Sequence, residues 1–202
     1  WPIITLIANI KTRLIQKMNR AIFLDRDGVI NEVVFRGGND IKPIAPWKIE
    51  EFHLIKDIKK PLQNLKQMGF HLFIVTNQPD IAKGILEFST VKKMNDIVMN
   101  ELPIDEIMVC PHIDGDNCNC RKPKPGMILT LAKKWGINLE DSFLIGDNWK
   151  DIESGKAAGC RTILLDTFYN KSVKADYRVK NLAMSAEVVK SNVTRTSTTK
   201  ED

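Results

Sequence analysis

The chain has 202 residues, of which 43% are hydrophobic and 27% are charged. This composition excludes a collagen-like, a mucin-like and a wholly disordered protein, and the length suits one domain with short appendages. The formal net charge of +5 favours nucleic acid, an anionic membrane surface or a phosphorylated small molecule, and it does not choose among them. No run of 18 apolar residues occurs, so we expect no contact with a membrane.

Strand-like and helix-like segments alternate between residues 19 and 190. Apolar runs predict strands over residues 20–25, 71–77, 104–110, 142–147 and 161–166, and apolar residues at helical spacing predict helices over 60–68, 90–102, 126–135, 151–158 and 185–190. This order predicts an α/β fold, a Rossmann-like parallel sheet with right-handed crossovers and helices on both faces.

The two ends of the chain are predicted to lie outside this domain. Residues 1–18 are interpreted as an N-terminal extension, and their apolar start lacks the basic residues and the cleavage site of a secretion signal, so we expect a cytoplasmic protein. Residues 191–202 are polar and have no apolar periodicity, which predicts a disordered tail. Aromatic residues do not alternate with the basic residues of this tail, so we expect no nucleic-acid partner.

Polar residues end three of the predicted strands. Asp25 and Asp27 follow the first strand, Thr76 and Asn77 end the second, and Asp147 ends the fourth. In parallel sheets, ligands bind at the carboxyl ends of the strands, so these residues are expected to converge on one crevice. A hydroxyl and an amide at positions 76 and 77 suit a phosphoryl oxygen, and a simple turn is the alternative interpretation.

The aspartates suggest metal chemistry. Asp25 and Asp27 are two positions apart, so in an extended segment they point to the same side and repel each other unless a cation or a shared proton lies between them. This pattern suits Mg²⁺, or a pair in which one carboxylate attacks and the other moves protons. Asp147 is a candidate third ligand, and Asp151 is a candidate to orient a ligand. An Asp- and Gly-rich turn, and a helix cap at Asp147 or Asn148, are the structural alternatives.

A cluster of cysteines predicts a second metal. Cys110, His112, Cys118 and Cys120 have the spacing C-x-H-x5-C-x-C, and the polar loop between them offers no core in which cysteines would be buried by chance. Three thiolates and one imidazole make a closed tetrahedral set, which predicts a structural Zn²⁺. Cys160 stands alone and is interpreted as a small core residue.

A basic segment follows the cysteines. Arg121, Lys122 and Lys124 are stiffened by two prolines ahead of a predicted helix, an arrangement that suits phosphate better than freely solvated cations would. The predicted zinc would brace this segment. Solvated surface cations are the alternative interpretation.

Four segments resemble the motifs of the haloacid dehalogenase superfamily, namely FLDRDGVIN, VTNQ, CPH…CNCRKPKPGM and IGDNWKDIESGKAAG. More narrowly, residues 19–182 resemble the zinc-containing D-glycero-D-manno-heptose-1,7-bisphosphate 7-phosphatases and the related histidinol-phosphate phosphatases. The resemblance implies a Mg²⁺-dependent phosphatase with no large cap domain, which acts on a small phosphorylated sugar. We expect it to be a monomer.

The resemblance also implies roles for the residues. Asp25 would be the nucleophile that forms an aspartyl-phosphate, and Asp27 would protonate the leaving group and then activate water. Magnesium would be held by Asp25, by Asp147 and by the backbone carbonyl of Asp27. Phosphoryl and substrate contacts would come from Thr76, Asn77, Arg121 and Lys122.

Some positions depart from the heptose phosphatases. Asn148 stands where many of them have a lysine, and Pro79-Asp80 replaces a common Ser-Gly. Heptose bisphosphate is the expected substrate, its second phosphate pairing with the basic segment and with Arg36. Histidinol phosphate or another small phosphomonoester is the alternative substrate, and a zinc-braced binding protein without activity is the alternative from another functional class.

Overall fold

The computed structural model describes residues 19–37 and 42–198, with side chains as far as residue 194. The predicted N-terminal extension lies outside the described residues. The elements are β1 (Arg20–Leu24), β2 (Val34–Arg36), β3 (Lys42–Ile44), α1 (Lys59–Gln67), β4 (Phe70–Asn77), α2 (Phe88–Glu101), β5 (Glu106–Cys110), α3 (Gly126–Trp135), β6 (Phe143–Gly146), α4 (Trp149–Ala158), β7 (Arg161–Leu165), β8 (Tyr177–Val179) and α5 (Leu182–Thr198).

Six strands form one parallel sheet in the order β5-β4-β1-β6-β7-β8. Strand β1 is central, and its Leu24 pairs with Ile74 of β4 and with Ile145 of β6. Alternate residues of β1 point to opposite faces, so Ile22 packs in one apolar cluster and Phe23 in the other. The predicted parallel α/β fold is confirmed.

Helices cover both faces of the sheet because each carries an apolar stripe. Helices α1, α2 and α5 pack on one face, through residues such as Leu62, Met94 and Val189. Helices α3 and α4 pack on the other, through residues such as Leu131 and Ile152. Within the part of the chain that is described, no helix is long and apolar enough to cross a membrane.

The segment between β1 and α1 contains a short antiparallel hairpin, which the sequence did not predict. Strands β2 and β3 pair Val34 with Ile44, and a single turn of 3₁₀-helix over Ile49–Glu51 follows. Among the described residues of this segment there is no cap domain, in agreement with the resemblance.

Helix α5 continues through Thr198, into the segment that the sequence predicts to be a disordered tail. Long-range contacts support the helix as far as residue 193. The side-chain oxygen of Asn192 accepts hydrogen bonds from Arg161 Nη1 at 3.1 Å and from the Tyr177 hydroxyl at 2.9 Å, and Val193 packs against the core. Residues 199–202 lie outside the described residues.

Candidate active site

The carboxyl ends of β4, β1 and β6 lie side by side, and a cleft of about 360 Å³ opens at that edge of the sheet. The structure brings six of the predicted residues to this cleft, namely Asp25, Asp27, Asn77, Arg121, Lys122 and Asp147. Thr76 is buried at the end of β4, where its hydroxyl oxygen accepts a hydrogen bond from the Gln78 side chain. The predicted convergence of the strand ends is therefore what the fold produces.

Lys122 is buried between two carboxylates. Its Nζ lies 2.7 Å from Asp25 Oδ1 and 2.6 Å from Asp151 Oδ1, and the residue is 3% exposed. Burial alone would lower the pKa of Lys122, but the charges of Asp151 and Asp25 outweigh burial and raise that pKa above its usual range. The lysine is therefore a permanent cation beside Asp25.

Asn77 fixes the backbone of this lysine. The Lys122 N–H donates to Asn77 Oδ1 at 3.1 Å, and Asn77 Nδ2 donates to the Lys122 carbonyl at 3.0 Å. The reciprocal pair joins the end of β4 to the basic segment. Asn77 thus contributes to the cleft by holding Lys122.

Asp25 is held at the end of β1, where its Oδ1 also accepts the backbone N–H of Arg26 at 2.7 Å. Burial raises the pKa of Asp25 well above its usual range, the charge of Asp151 raises it further, and Lys122 opposes both. The carboxylate form of Asp25 therefore depends on positive charge placed beside it.

Asp25, Asp147 and Asp151 bring carboxylate oxygens within 4.8 Å of one another. Burial first, and then repulsion from Asp151, raises the pKa of Asp147 to about 7. Three crowded carboxylates with hard oxygens fit a divalent cation such as Mg²⁺. Asp151 already bonds Lys122 and, at the start of α4, the backbone N–H of Asn148 at 3.0 Å, so Asp25 and Asp147 are the side chains available to a metal.

Asp147 has close neighbours that the sequence did not reveal. The Tyr169 hydroxyl donates to its Oδ2, and Asn170 Nδ2 donates to its backbone carbonyl at 2.8 Å. Gly28, at φ +89°, passes so close that a Cβ there would lie 2.1 Å from Asp147 Oδ2. The loop after β1 therefore needs glycine at this position, both for its backbone conformation and to leave room for Asp147.

The carboxylate of Asp27 has partners of its own. It accepts hydrogen bonds from Arg26 Nη2 at 3.1 Å, from Asn31 Nδ2 at 3.0 Å and from Gln78 Nε2 at 2.7 Å. The Arg26 side chain is fully buried, and its guanidinium lies 5.6 Å from the Phe52 ring centroid. The side chain of Asp27 thus lies outside the carboxylate cluster, and a metal role for this residue rests on its backbone carbonyl.

Further cations line the rim of the cleft. Arg121 Nε donates to Asp114 Oδ1 at 2.6 Å, and Lys150 Nζ lies 3.8 Å from the same oxygen. Arg121 Nη1 is a buried donor with no hydrogen-bond partner among the described residues. One exposed carboxylate thus sits between two cationic side chains that face the cleft.

Lys83 lines the cleft as well, and its position depends on the hairpin segment. Asp80 Oδ1 accepts a hydrogen bond from Lys83 Nζ at 2.8 Å, and Asp80 Oδ2 accepts one from Trp47 Nε1 at 2.8 Å. Asp80 therefore ties the loop after β4 to the segment after β3. Asp80, which departs from the Ser-Gly pair common in the heptose phosphatases, therefore has a structural role.

Two basic residues expected beside a second phosphate lie elsewhere. Lys124 Nζ donates to the carbonyl of Cys118 at 2.8 Å, and Arg36 pairs with Glu51 and lies 4.1 Å from the Trp47 ring centroid. Neither lines the cleft, so the expected cluster is wrong in these two members. Lys83 and Lys150 line the cleft instead.

The predicted metal-binding side chains of the cysteine cluster come together. The sulfurs of Cys110, Cys118 and Cys120 are 3.2–3.7 Å apart, and His112 Nδ1 lies 3.3 Å from Cys120 Sγ and 3.6 Å from Cys110 Sγ. Zinc bonds of about 2.3 Å in a tetrahedron would set the sulfurs about 3.8 Å apart, close to this spacing. Burial first, and then Cys120, raises the pKa of the Cys110 thiol to about 12, so a cation is needed to keep three thiolates together. The donor set fits Zn²⁺.

The model of the haloacid dehalogenase-like hydrolase family matches residues 41–165. The chain belongs to this family. Two curated relatives of this haloacid dehalogenase-like chain are heptose-1,7-bisphosphate 7-phosphatases. The enzyme of Campylobacter jejuni is 35% identical over 168 residues, 81% of this chain and 91% of the relative. That of Helicobacter pylori is 37% identical over 155 residues, 74% of this chain and 84% of the relative.

A solved structure shares the fold. D,D-heptose 1.7-bisphosphate phosphatase from B. bronchiseptica, complexed with magnesium and phosphate, superposes with a TM-score of 0.72 at 24% identity, covering 86% of this chain and 99% of that one. The haloacid dehalogenase-like fold and the assignment as a phosphatase, both predicted from the sequence, are confirmed.

Sequence reasoning missed several residues of this phosphatase site, namely Gln78, Lys83, Lys150 and Tyr169. Gln78 had a usable signal, because it directly follows two polar residues at a strand end. The two lysines had none, since isolated lysines on loops and helix surfaces are usually only solvated.

Proposed function

We propose that the chain removes the 7-phosphate of D-glycero-D-manno-heptose 1,7-bisphosphate through an aspartyl-phosphate on Asp25. The observation that carries the proposal is the buried Lys122–Asp25 pair in a cleft that is also lined by Arg121, Lys150 and Lys83. The pair suits attack on a phosphoryl group, and the rim suits a second anionic group. The substrate of the curated relatives supplies its chemical identity.

The reacting groups divide the work. An oxygen of Asp25 attacks phosphorus, and the Lys122 ammonium offsets the repulsion between this carboxylate and the incoming phosphate. Thr76 supplies a hydroxyl to a phosphoryl oxygen. A magnesium ion held by Asp25, Asp147 and the Asp27 carbonyl would supply further positive charge for the phosphoryl oxygens.

Asp27 is the proposed acid and base. It gives its proton to the sugar oxygen as the P–O bond breaks, and it then takes a proton from the water that hydrolyses the aspartyl-phosphate. Its separation from the carboxylate cluster supports this division, since its hydrogen bonds come from Arg26, Asn31 and Gln78 and not from Lys122.

The second phosphate of the substrate would bind at the rim. Asp114 already places a carboxylate between Arg121 and Lys150, which is where an anion of the substrate would gain both cations. Asp114 is exposed on a single turn of 3₁₀-helix, Asp114–Asp116, and would be displaced at little cost. Arg121 in addition carries the unpartnered Nη1 donor.

Zinc in the cysteine cluster would be structural. All four protein donors are used, so no position remains for water, and the cluster ends two residues before Lys122. Its task would be to hold the basic segment against Asn77. We further propose, as the sequence predicts, that the protein is a cytoplasmic monomer that acts on a small sugar phosphate.

The test is phosphate release from heptose 1,7-bisphosphate, from heptose 7-phosphate and from histidinol phosphate, each with and without Mg²⁺. The first two carry the same reacting phosphate, so their ratio isolates the second one. Arg121→Ala should lower kcat/KM for the bisphosphate roughly tenfold or more beyond its effect on the monophosphate, because a charge-assisted contact contributes about 1.5–3 kcal/mol. Lys92→Ala, an exposed change on α2, is the control.

Equal losses on both heptose phosphates would reject the rim as the site of the second phosphate. Faster turnover of histidinol phosphate than of either heptose would reject the proposed substrate while keeping the aspartyl-phosphate chemistry.

A further inference from the structure

The side chain of Gln78 connects Asp27 and Thr76, two residues to which the sequence analysis gave separate roles. Its Nε2 donates to Asp27 Oδ2 at 2.7 Å and to Thr76 Oγ1 at 2.9 Å. The residue is 1% exposed, and its backbone N–H donates to the carbonyl of Cys110 at 2.7 Å. Hydrogen bonds thus fix both the backbone and the side-chain amide of Gln78.

Gln78 differs from the other partners of Asp27 in where it comes from. Arg26 and Asn31 belong to the same loop as Asp27. Arg26 also donates to Asn95 Oδ1 of α2 at 3.1 Å, so it links the loop to a helix and not to the neighbouring strand. Gln78 directly follows β4, the strand that ends with Thr76 and Asn77. Its hydrogen bond therefore sets the position of the Asp27 carboxylate relative to the phosphate-binding edge of the sheet.

The orientation of the amide follows from its two neighbours. Both Asp27 Oδ2 and Thr76 Oγ1 accept a hydrogen bond, so the nitrogen of Gln78 must face them. The Gln78 oxygen is buried with no hydrogen-bond partner among the described residues. Thr76 keeps its own hydroxyl proton for a phosphoryl oxygen, because its oxygen is the acceptor in this contact.

We propose that Gln78 is a positioning residue that holds Asp27 at the right place for proton transfer to the leaving group. The inference rests on the proposed function, in which Asp27 is the acid and base. Thr76 and the carbonyl of Cys110 are the fixed points from which Gln78 does this.

The step affected is defined by its atoms. A bond forms between an Asp25 oxygen and phosphorus as the bond from phosphorus to the sugar oxygen breaks, and the carboxyl proton of Asp27 moves to that sugar oxygen. The products are the sugar alcohol, the aspartyl-phosphate and the Asp27 carboxylate. Water later attacks phosphorus, the bond from Asp25 to phosphorus breaks, and a water proton returns to Asp27.

The leaving group reveals whether this proton transfer is impaired. A sugar alkoxide must be protonated as it leaves, whereas p-nitrophenolate is stable as an anion and leaves without a proton. The parameter kcat/KM covers the steps up to release of this first product, so hydrolysis of the aspartyl-phosphate does not enter it. Misplacing Asp27 should therefore affect the two substrate types differently.

The experiment uses Gln78→Met, which keeps the length of the side chain and removes its N–H donor. We expect kcat/KM to fall about 10- to 100-fold for heptose 1,7-bisphosphate and to stay within about threefold for p-nitrophenyl phosphate. Thr76→Val is the comparison, since loss of a hydroxyl that serves the phosphoryl group should lower both. Gln63→Met, the same substitution at an exposed site on α1, should change neither.

An equal loss on both substrates, or no loss on either, would overturn the positioning role. If Gln78→Met does not fold, Gln78→Glu replaces it, because a second carboxylate against Asp27 should displace it and give the same selective loss. A wild-type protein inactive on both substrates would refute the proposed function itself, and a wild type active with an unselective Gln78 variant would refute only this inference.

Discussion

Lys122 Nζ lies 2.7 Å from Asp25 Oδ1 in a buried pair. The contact joins the end of β1 to a segment 97 residues later in the chain. Because Asp151 shares the same ammonium at 2.6 Å, one cation offsets the charges of two carboxylates. The fold and the chemistry of the cleft therefore depend on the same side chain.

Lys122→Met should destabilise the protein and stop turnover. It leaves Asp25 and Asp151 buried without their cation, and uncompensated buried charges cost about 3–5 kcal/mol. Urea unfolding measures the loss, and adding Asp25→Asn to the variant should recover part of it because one of the two orphaned carboxylates is removed. Lys124→Met, a change outside the cleft, is the control. A Lys122→Met protein as stable as wild type would contradict this account of the pair.

Asp25→Asn should lower turnover by at least about 1,000-fold, since an amide does not replace the attacking carboxylate. The fold should remain, because the Asn oxygen still accepts the Arg26 N–H. Burial first, and then Asp151, raises the pKa of Asp25, so removing its charge should not lower the melting temperature of the metal-free protein. Turnover near the wild-type level, in a preparation shown by mass spectrometry to be free of deamidation, would show that Asp25 is not the nucleophile.

Mg²⁺ should bind more tightly as the pH rises through about 7. Burial and Asp151 raise the pKa of Asp147 to about 7, so the metal competes with a proton below that pH. The same carboxyl stabilises the metal-free fold at low pH, and this contribution is lost between its unfolded pKa of about 3.9 and pH 7. The rise in melting temperature on adding Mg²⁺ should therefore be larger at about pH 8 than at about pH 6.

The melting temperature is measured at the two pH values, with and without Mg²⁺. Asp147→Asn is the matched variant and should reduce the difference between the two pH values. Any difference that remains belongs to Asp25, whose pKa is also raised by burial. A rise of the same size at both pH values in the wild type would show that Asp147 does not link protons to the metal.

Cys118→Ser should reduce bound zinc, lower the melting temperature and lower kcat/KM by loosening Lys122. Zinc content by elemental analysis and melting temperature are measured together. Cys160→Ala is the control, since Cys160 is not a member of the metal-binding group and is buried in the core, where burial raises its pKa to about 12. Protein purified without zinc, with unchanged melting in Cys118→Ser, would contradict a structural zinc site.

The sequence predicts the sheet and the strand-end residues well, because both depend on local patterns. A buried apolar run that ends in a polar residue, as at Asp25 or Asp147, marks a strand and its carboxyl end at once. Parallel pairing then brings these ends together without further information. The cysteine cluster is equally visible, since its spacing brings four candidate metal donors into one short segment.

The features that were missed depend on distant contacts. Strands β2 and β3 have three residues each, and Pro43 cannot donate to the pairing, so no local period marks the hairpin. Helix α5 contains threonine and serine near its end, which form helices poorly, and hydrogen bonds from Arg161 and Tyr177 hold the helix at Asn192. Lys83 and Lys150 look like ordinary surface lysines until the fold turns them toward the cleft.

The central place of β1 has a consequence for synthesis of the chain. Leu24 emerges from the ribosome 121 residues before one of its two neighbours, Ile145 of β6. A nascent chain that ends before β6 therefore exposes one edge of its central strand and lacks Asp147. Chaperone binding to ribosome-held fragments should be strongest in that interval, and phosphate release should first appear once β6 has emerged.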